Sequence, residues 1–498
     1  MKFKNFFPYN FLLFSVIPLL LIYSSNVGEI PILDIRIPLA ISIGLSGILF
    51  LCLRLKFTST KAGLIISVFL ISFILHGNLK SFLHESDILS NSFFENSLLF
   101  GSVFLIISLL SIYIIFKKNY SDDFNKIFTI FSITVILVLI PNILFFFVDE
   151  NNFENQNFKI DLNHPLTQTP DIFIILLDEF AGEIQLSNDF DYSLKPFMIN
   201  LNSMNFQVAQ NSFSNYPNTA YSLPSILNMD YLEFIPDKIG IDSKNTLLAY
   251  DLRNDNNFMK ILKNNDYKIV SFYGGMGSSG NASIVDEKPC SALNINNDLK
   301  EKFFQIYIPF TIFKNELINN PLSEKLSCIQ NFVKNHEKNT VSELFFIHLR
   351  LPHHPYVYDS NGNYNAQSDF AEENKTAYLE QLKFTEKFTL ELVSNIQKTD
   401  KDSYIVILSD HGYRGQINWK DQNLENLIRG HNVILAYYFP DNTPNLPKMT
   451  SLVNALRILI NEISETKLEI LHDKFYWYDH EKPNEHFDVT LIISEYLN

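Results

Sequence analysis

Basic residues are in the minority in this 498-residue sequence. Lys and Arg together number 39, against 54 Asp and Glu, which gives a formal net charge of −15 at pH 7. A protein that binds nucleic acid through its phosphates needs a basic surface, so this balance argues against a nucleic-acid partner. A repeat of solenoid period is also lacking, which argues against a repeat architecture.

Cysteine is scarce as well, with three residues in the whole chain. Cys52 lies inside an apolar run, whereas Cys290 and Cys328 lie in the polar part that follows. If that part is in an oxidising compartment, these two thiols can pair. A Cys290–Cys328 disulfide is one hypothesis, and two separate buried thiols are the other.

Long apolar runs are missing after residue 150, but five precede it. They cover approximately Phe6 to Tyr23, Ile37 to Leu55, Ala62 to His76, Leu98 to Phe116 and Ile127 to Val148, and the third is the shortest. A bilayer core needs about 17 to 25 mostly apolar residues, so we expect a bundle of about five transmembrane helices. A cleaved signal peptide is the alternative for the first run, but no small-residue cleavage motif follows it.

The short loops between these runs differ in basic residues. Three of them, taken as cytoplasmic, contain Lys2, Lys4, Arg54, Lys56, Lys61, Lys117, Lys118 and Lys126, and the two others contain only Arg36 and Lys80. This alternation predicts an N-inside, multi-pass protein of a bacterial inner membrane, with everything after Val148 in the periplasm or outside. We therefore divide the chain into an anchor (1–149), a linker (150–169) and an extracytoplasmic domain (170–498).

The extracytoplasmic part alternates apolar strand patterns with helical ones. Strands are expected at Asp171 to Leu177, Tyr267 to Phe272, Leu344 to Ile347, Tyr404 to Leu408 and Val433 to Phe439, and helices at Leu194 to Met204, Thr219 to Leu227 and Glu372 to Gln397. Continuous apolar strands between helices indicate a mostly parallel sheet covered on both faces, hence a three-layer α/β/α domain. In such domains ligands bind beyond the carboxyl ends of the strands.

Two of these strands run directly into residues that bind metals. The first ends in Asp178-Glu179 and the fourth in Asp410-His411-Gly412. Buried carboxylates need a cation, and a divalent metal supplies one. Taken singly, the first pair also suits a helix cap and the second is a common loop tripeptide; parallel strands can bring both to one rim.

Two further segments contain polar groups suited to catalysis. The loop Asn215 to Pro217 leads through Asn218 into the helix expected from Thr219, where a hydroxyl at a helix N-terminus can face an anion; the alternative is an N-cap hydroxyl. After the third strand the sequence reads His348-Leu349-Arg350-Leu351-Pro352-His353-His354-Pro355-Tyr356. Imidazoles there can bind metal or transfer protons, although a single histidine is more often structural.

Together the four motifs resemble the sulfatase-like branch of the alkaline phosphatase superfamily, especially membrane-anchored phosphoglycerol and phosphoethanolamine transferases. The resemblance covers Pro170 to roughly Pro440, and it implies an alkaline phosphatase/sulfatase-like fold. The site residues that it implies are the nucleophile Thr219; the metal ligands Asp178, Glu179, Thr219, Asp410 and His411; the catalytic and substrate-side His353; and the substrate-binding His354, Arg429 and His431. For His431 a surface loop histidine is the alternative.

The implied cofactor is one or two divalent metal ions, zinc or manganese. Sulfatases have Pro two residues and Arg four residues after the nucleophile, where this chain has Tyr221 and Leu223, so sulfate-ester hydrolysis is not expected. The implied activity is transfer of a phospho-head group from a membrane lipid donor to a cell-envelope glycan or lipid, through a phosphothreonine. Alternatives are a phosphodiester or phosphonate hydrolase and, in another class, an inactive sensor or assembly protein.

Overall fold

The computed structural model describes residues 9–25, 35–85, 97–117, 120–150, 158, 160–272, 283–290, 321–364, 373–440, 446–447 and 449–497. Of the basic loop residues, Lys2, Lys4 and Lys118 lie outside this set, as do residues 151–157 and 159 of the expected linker. The chain divides into two compact units. One consists of residues 1–153 and 293–321, and the other of residues 154–292 and 322–498.

In the first unit each expected apolar run contains a helix, and residues 6–8 of the first run lie outside the described set. The helices are α1 (Asn10–Ser25), α2 (Arg36–Arg54), α3 (Ser59–Glu85), α4 (Ser97–Lys117) and α5 (Ser121–Glu150). Within the described residues, two segments are long and apolar enough to cross a membrane, Ser59–His76 in α3 and Ser121–Pro141 in α5. The expected run from Ala62 to His76, the shortest of the five, lies in one of these two segments. It is longer than expected because α3 begins at Ser59, three residues before Ala62, and the Ala62 N–H already donates to the Thr58 carbonyl.

Helices of this unit pack through small polar groups and leave large apolar side chains exposed. The hydroxyl of Ser108 on α4 donates to that of Ser72 on α3 at 2.6 Å, and the Ser42 hydroxyl on α2 donates to the Ser15 carbonyl on α1 at 2.7 Å. Leu49 on α2 is 54% exposed, and similar values apply along α4 and α5. Outward-facing apolar residues on mutually packed helices are typical of membrane proteins.

The second unit contains a six-stranded mixed sheet in the order β2-β8-β6-β1-β5-β4. Its strands are β1 (Ile172–Leu177), β2 (Gln207–Val208), β4 (Lys268–Phe272), β5 (Glu343–Leu349), β6 (Tyr404–Ser409) and β8 (Leu435–Tyr438). Strands β6, β1, β5 and β4 are parallel, whereas β8 is antiparallel to both β6 and β2. A smaller sheet joins β7 (Asn432–Val433), β3 (Asn211–Phe213) and β9 (Met449–Ser451), and β10 (Tyr476–Trp477) pairs with β11 (Phe487–Asp488).

Helices cover both faces of the large sheet. The helices of this unit are α6 (Glu183–Phe190), α7 (Lys195–Ser203), α8 (Thr219–Asn228), α9 (Ile235–Ile239), α10 (Leu247–Asn254), α11 (Asn257–Asn264), α12 (Pro321–Asn335), α13 (Lys375–Thr399), α14 (Leu424–His431), α15 (Ala455–Glu462) and α16 (Thr490–Leu497). Alternate β1 residues enter opposite cores, Ile175 with α7, α12 and α13, and Ile174 with α8, α11 and α15. Both faces of β1 are therefore apolar, as the sequence indicates.

Two strand boundaries differ from the sequence-based expectation. β5 pairs with β1 as far as Leu349, so His348 lies within the strand rather than in the loop after it. The expected strand from Val433 to Phe439 is two strands: Val433 pairs with β3 in the small sheet, whereas Leu435 begins the pairing with β6. Tertiary pairing decides both boundaries, since neither segment contains a Gly or Pro that would mark the boundary in the sequence.

Candidate active site

The carboxyl ends of three parallel strands meet at the candidate site. Leu177 at the end of β1 lies opposite Leu349 of β5 on one side and Ser409 of β6 on the other. The next residues, Asp178 and Asp410, are therefore neighbours across the sheet. The fold thus gathers the first and last predicted motifs at the place where open α/β sheets bind ligands.

Asp178, Asp410 and His411 form a buried cluster. One potential ligand atom from each lies within 4.8 Å of the other two. Nε2 of His411 is 3.8 Å from Oδ1 of Asp178 and 3.5 Å from Oδ2 of Asp410. Two carboxylates in so small a buried volume are costly without a cation between them.

Thr219 completes this cluster from the opposite side. It is the first residue of α8, and the N-cap is Asn218, whose side chain accepts the N–H of Ala220 at 3.0 Å. The Thr219 hydroxyl is therefore not the helix cap. Its Oγ1 lies 2.6 Å from Oδ2 of Asp410 and 3.1 Å from Nε2 of His411.

The proton positions in this cluster leave room for a metal ion. Nδ1 of His411 lies 2.8 Å from the Gly412 carbonyl, which requires the proton on Nδ1 and a lone pair on Nε2. The Thr219 hydroxyl donates its one proton to Asp410. No proton is then left between Oγ1 of Thr219 and Nε2 of His411, so a lone pair of Oγ1 faces the lone pair of Nε2. Asp178 Oδ1 is buried and accepts no hydrogen bond from the described residues. Unshared lone pairs from one nitrogen and several oxygens are the ligands that zinc or manganese binds.

Gly412 allows the chain to turn at this cluster. A Cβ atom at this position would overlap the Arg429 carbonyl and the side chain of Gln185. The Gly412 N–H donates to the neighbouring Gly430 carbonyl at 3.2 Å. Glycine is needed here for space rather than for a positive φ angle.

Glu179 points away from Asp178 and joins a second cluster. Its φ angle of 64° is in the left-handed region, and its N–H donates to Oδ1 of Asp410 at 3.1 Å. Its carboxylate groups instead with His353 and His354, whose rings stack at 4.2 Å. The structure therefore divides the adjacent acidic pair between two clusters.

Arg414, a residue that the sequence analysis did not select, lies in this second cluster. Its N–H donates to Oε1 of Glu179 at 2.9 Å, and its Nη2 is 3.3 Å from Nε2 of His353. His353 Nδ1 is 2.6 Å from the His354 carbonyl, which gives the same tautomer as in His411. No local or periodic pattern distinguishes Arg414 in the sequence, so sequence reasoning did not select it.

Burial determines the protonation of the histidines. It lowers the pKa of His353 well below the usual value, lowers that of His411, and lowers that of His431 to about 4. Burial alone would raise the pKa of Asp178, but the neighbouring His353 and His348 outweigh it and keep that pKa below its usual range. At neutral pH the imidazoles are thus neutral and the Asp178 carboxyl is ionised, which are the forms that bind metal.

His431 and Arg429, the remaining predicted residues, have different surroundings. His431 is buried, its Nδ1 lies 2.7 Å from the Ser214 carbonyl, and its Nε2 has no hydrogen-bond partner among the described residues. His431 is therefore not on the surface. Arg429 forms a two-pronged ion pair with Asp189 at 2.8 and 3.0 Å, so its guanidinium is engaged within the fold.

A C-terminal segment, residues 474–486, forms one wall beside Thr219. Nδ2 of Asn218 lies 3.4 Å from Nε2 of His480, and the Tyr221 hydroxyl donates to Oδ1 of Asn484 at 2.6 Å. The ring of Tyr478 packs edge-on against Tyr221 at 5.1 Å. The Tyr478 hydroxyl is buried and has no hydrogen-bond partner among the described residues. No sequence signal connects this segment to residues more than 250 positions earlier.

A sheet of this kind, with carboxylates, histidines and a helix-terminal hydroxyl at its strand ends, is the architecture of the alkaline phosphatase superfamily. The family model named Sulfatase matches residues 170–444, more than half of the sequence. The chain therefore belongs to the sulfatase family. This confirms the family that the motifs suggested.

Several solved structures are similar to this chain at low identity. The C-terminal periplasmic domain of EcEptC from Escherichia coli is 14% identical, with a TM-score of 0.42, over 65% of this chain and 96% of that one. The integral membrane protein lipooligosaccharide phosphoethanolamine transferase A from Neisseria meningitidis is 16% identical, with a TM-score of 0.41, over 94% and 92% of the two chains. BT1596, a 2-O GAG sulfatase, is 12% identical, with a TM-score of 0.40, over 63% and 78%. No curated protein sequence matches the chain.

Proposed function

We propose that this protein is a membrane-anchored phosphotransferase that moves a phospho-head group through a covalent adduct on Thr219. The observation that carries the proposal is the position of the Thr219 hydroxyl, 2.6 Å from Asp410 and 3.1 Å from His411. A hydroxyl between a carboxylate and a metal-binding imidazole is arranged as a nucleophile rather than as a cap. A structural threonine at a helix start would instead bond to its own backbone.

Asp178, Asp410, His411 and Thr219 are the proposed ligands of a divalent cation, zinc or manganese. When bound, such an ion supplies Lewis-acid activation of the hydroxyl and of the phosphoryl group. Oδ2 of Asp410 accepts a hydrogen bond from the Thr219 hydroxyl, so the lone pairs of Oγ1 point away from Asp410. The first turn of α8 offers backbone N–H groups to an anion placed against Thr219.

The reaction that we propose has two displacements at phosphorus. In the first, Oγ1 of Thr219 forms a bond to phosphorus, its proton passes to Oδ2 of Asp410, and the bond to the donor's alcohol oxygen breaks; that oxygen takes a proton from water. In the second, an acceptor hydroxyl attacks the phosphothreonine, its proton passes to Nε2 of His353 and on to solvent, and Thr219 leaves and recovers the proton held by Asp410. His353 can accept that proton because its own ring proton is on Nδ1.

The positions that define sulfatases support phosphoryl rather than sulfuryl transfer. Two and four residues after the nucleophile, where sulfatases have Pro and Arg, this chain has Tyr221 and Leu223, both fully buried. Tyr221 is further held by Asn484. Neither residue can take the role of the missing Pro and Arg.

We also propose that α1 to α5 all span a bacterial inner membrane and that the catalytic unit lies on its outer side. The exposed apolar side chains along α2, α4 and α5 support this, as does the Lys and Arg asymmetry of the loops. An anchored enzyme meets its lipids at a high effective concentration, which favours a lipid donor of the phosphoglycerol or phosphoethanolamine class. A cell-envelope glycan or lipid would be the acceptor.

Mass spectrometry of the peptide that contains Thr219 tests the proposal. The full-length protein is purified, loaded with zinc or manganese and exposed to a bacterial lipid extract. We expect a mass increase on this peptide equal to one phospho-head group, and none in Thr219→Ala. Release of the adduct by water alone would indicate a hydrolase instead. A native protein that forms no adduct and binds no metal would support the sensor alternative.

A further inference from the structure

The C-terminal segment 474–486 lies along the loop that leads to Thr219. Nδ2 of Asn215 donates to the Lys474 carbonyl at 2.8 Å, and the Asn215 carbonyl accepts the Tyr476 N–H at 2.9 Å. The ring of Tyr216 stacks on that of Tyr476, with 5.3 Å between their centres and 19° between their planes. The segment therefore holds the chain at the third and fourth residues before Thr219.

Asn484 connects the same segment to the first turn of α8. This asparagine is fully buried, and its Oδ1 accepts the Tyr221 hydroxyl at 2.6 Å. Its Nδ2 donates to the carbonyls of Ser243 at 2.8 Å and Asn245 at 2.9 Å. Because the amide protons are directed to carbonyls, Oδ1 must face Tyr221, and the Tyr221 hydroxyl must be the donor. Tyr221 is thus fixed by a side chain 263 residues away.

The ring of Tyr221 is also enclosed on several sides and has no exposed surface. It lies 5.9 Å from the ring of Tyr216 in the loop, and 5.1 and 4.8 Å from those of Tyr478 and His486 in the segment. Tyr221 is the third residue of α8, and the helix begins at Thr219. A side chain held this firmly in the first turn restrains the backbone at Thr219 as well, because neighbouring residues of a helix move together.

From these contacts we infer that Asn484 and Tyr221 are positioning residues for Thr219. They keep its hydroxyl at 2.6 Å from Asp410 and 3.1 Å from His411 without touching the substrate themselves. A displacement of a reacting group by about 1 Å can lower a rate about 100-fold, so a restraint on the helix start matters for the reaction. This inference rests on the proposed function, because it takes Thr219 as the nucleophile.

Steady-state turnover of a chromogenic phosphodiester by the full-length protein, at saturating zinc, tests the inference. Tyr221→Phe removes only the hydroxyl, and Asn484→Ala removes its acceptor. In both variants we expect kcat to fall at least about tenfold, with KM within about twofold of the wild type. Tyr437→Phe is the matched control, because Tyr437 is equally buried and its hydroxyl donates to the Ala455 carbonyl at 3.0 Å. The control should lower Tm to a similar extent but keep the wild-type kcat.

Hydrogen exchange of the peptide 216–227, followed by mass spectrometry, measures the restraint without any turnover. Exchange should be faster in Tyr221→Phe and Asn484→Ala than in the wild type, and unchanged in Tyr437→Phe. A wild-type kcat in both positioning variants, or a fall no larger than in the control, would overturn the inference. If the wild-type protein itself has no turnover, the proposed function fails, and exchange decides the inference: equal exchange in the wild type and both variants would then refute it.

Discussion

Substituting Asp410 with asparagine tests the proposed metal site at its most connected residue. Oδ1 of Asp410 accepts the backbone N–H of Glu179 at 3.1 Å and that of the next residue, His411, at 3.0 Å. Oδ2 of Asp410 accepts a hydrogen bond from the Thr219 hydroxyl. An asparagine oxygen in the Oδ1 position keeps both backbone bonds. The amide nitrogen in the Oδ2 position cannot accept the hydroxyl or bind a metal.

The expected magnitude follows from these contacts. Without metal, the variant loses one hydrogen bond to a charged acceptor, about 1.5–3 kcal/mol, and gains by removing one of two close negative charges, so the net change is small. With metal at about 1,000 times its dissociation constant, the wild type gains about 4.1 kcal/mol of stability. If the loss of this ligand weakens binding about 100-fold, the gain at the same metal concentration is about 1.4 kcal/mol.

Thermal unfolding of the full-length protein measures this difference. After treatment with a chelator, each variant is unfolded with and without added zinc. The metal-induced shift in Tm should be about 5 °C smaller in Asp410→Asn than in the wild type, given about 2 °C per kcal/mol for a unit of this size. Lys420→Met, which removes an exposed positive charge from the loop after Gly412, is the control and should keep the wild-type shift. An unchanged shift in Asp410→Asn would refute the assignment of this cluster as the metal site.

Three further predictions concern other parts of the second unit. Thr219→Ser should keep measurable activity towards a chromogenic phosphodiester. Thr219→Val should lose activity by a factor of about 10⁴ or more while its metal content stays unchanged. Equal activities of the two variants would refute the assignment of Thr219 as the nucleophile. Burial lowers the pKa of His486 to about 4, so the folded state is stabilised above about pH 6.5 and loses about 3 kcal/mol as pH falls towards 4, where the unfolded chain already binds the proton. Denaturant unfolding across this range should show a flatter pH dependence in His486→Gln. Cys290 and Cys328 form a disulfide across a separation of 38 residues, so replacing both with serine should lower the unfolding free energy by about 2–4 kcal/mol; an unchanged unfolding curve would show that the bond adds no stability.

The sequence determined the layers of the second unit and the motifs at its strand ends. Runs such as Ile172–Leu177 are apolar at every position because both faces of the sheet are covered, and this pattern is local enough to read directly. The acidic and histidine residues follow at once, so their positions along the strands were also predictable. The five apolar runs identified five helices for the same reason, since helix length and hydropathy are local properties.

Only the tertiary structure decided how these residues divide into clusters. Asp178 and Glu179 are adjacent in sequence, yet a left-handed backbone angle turns them to different partners, and that angle depends on contacts from Asp410 and Tyr378. Asn218 has the capping role because the helix begins at Thr219, and the Thr219 hydroxyl instead donates to Asp410, 191 residues away. Arg414 and Tyr478 entered the site through packing between distant segments, and contacts of that kind leave no periodic or local pattern in a sequence.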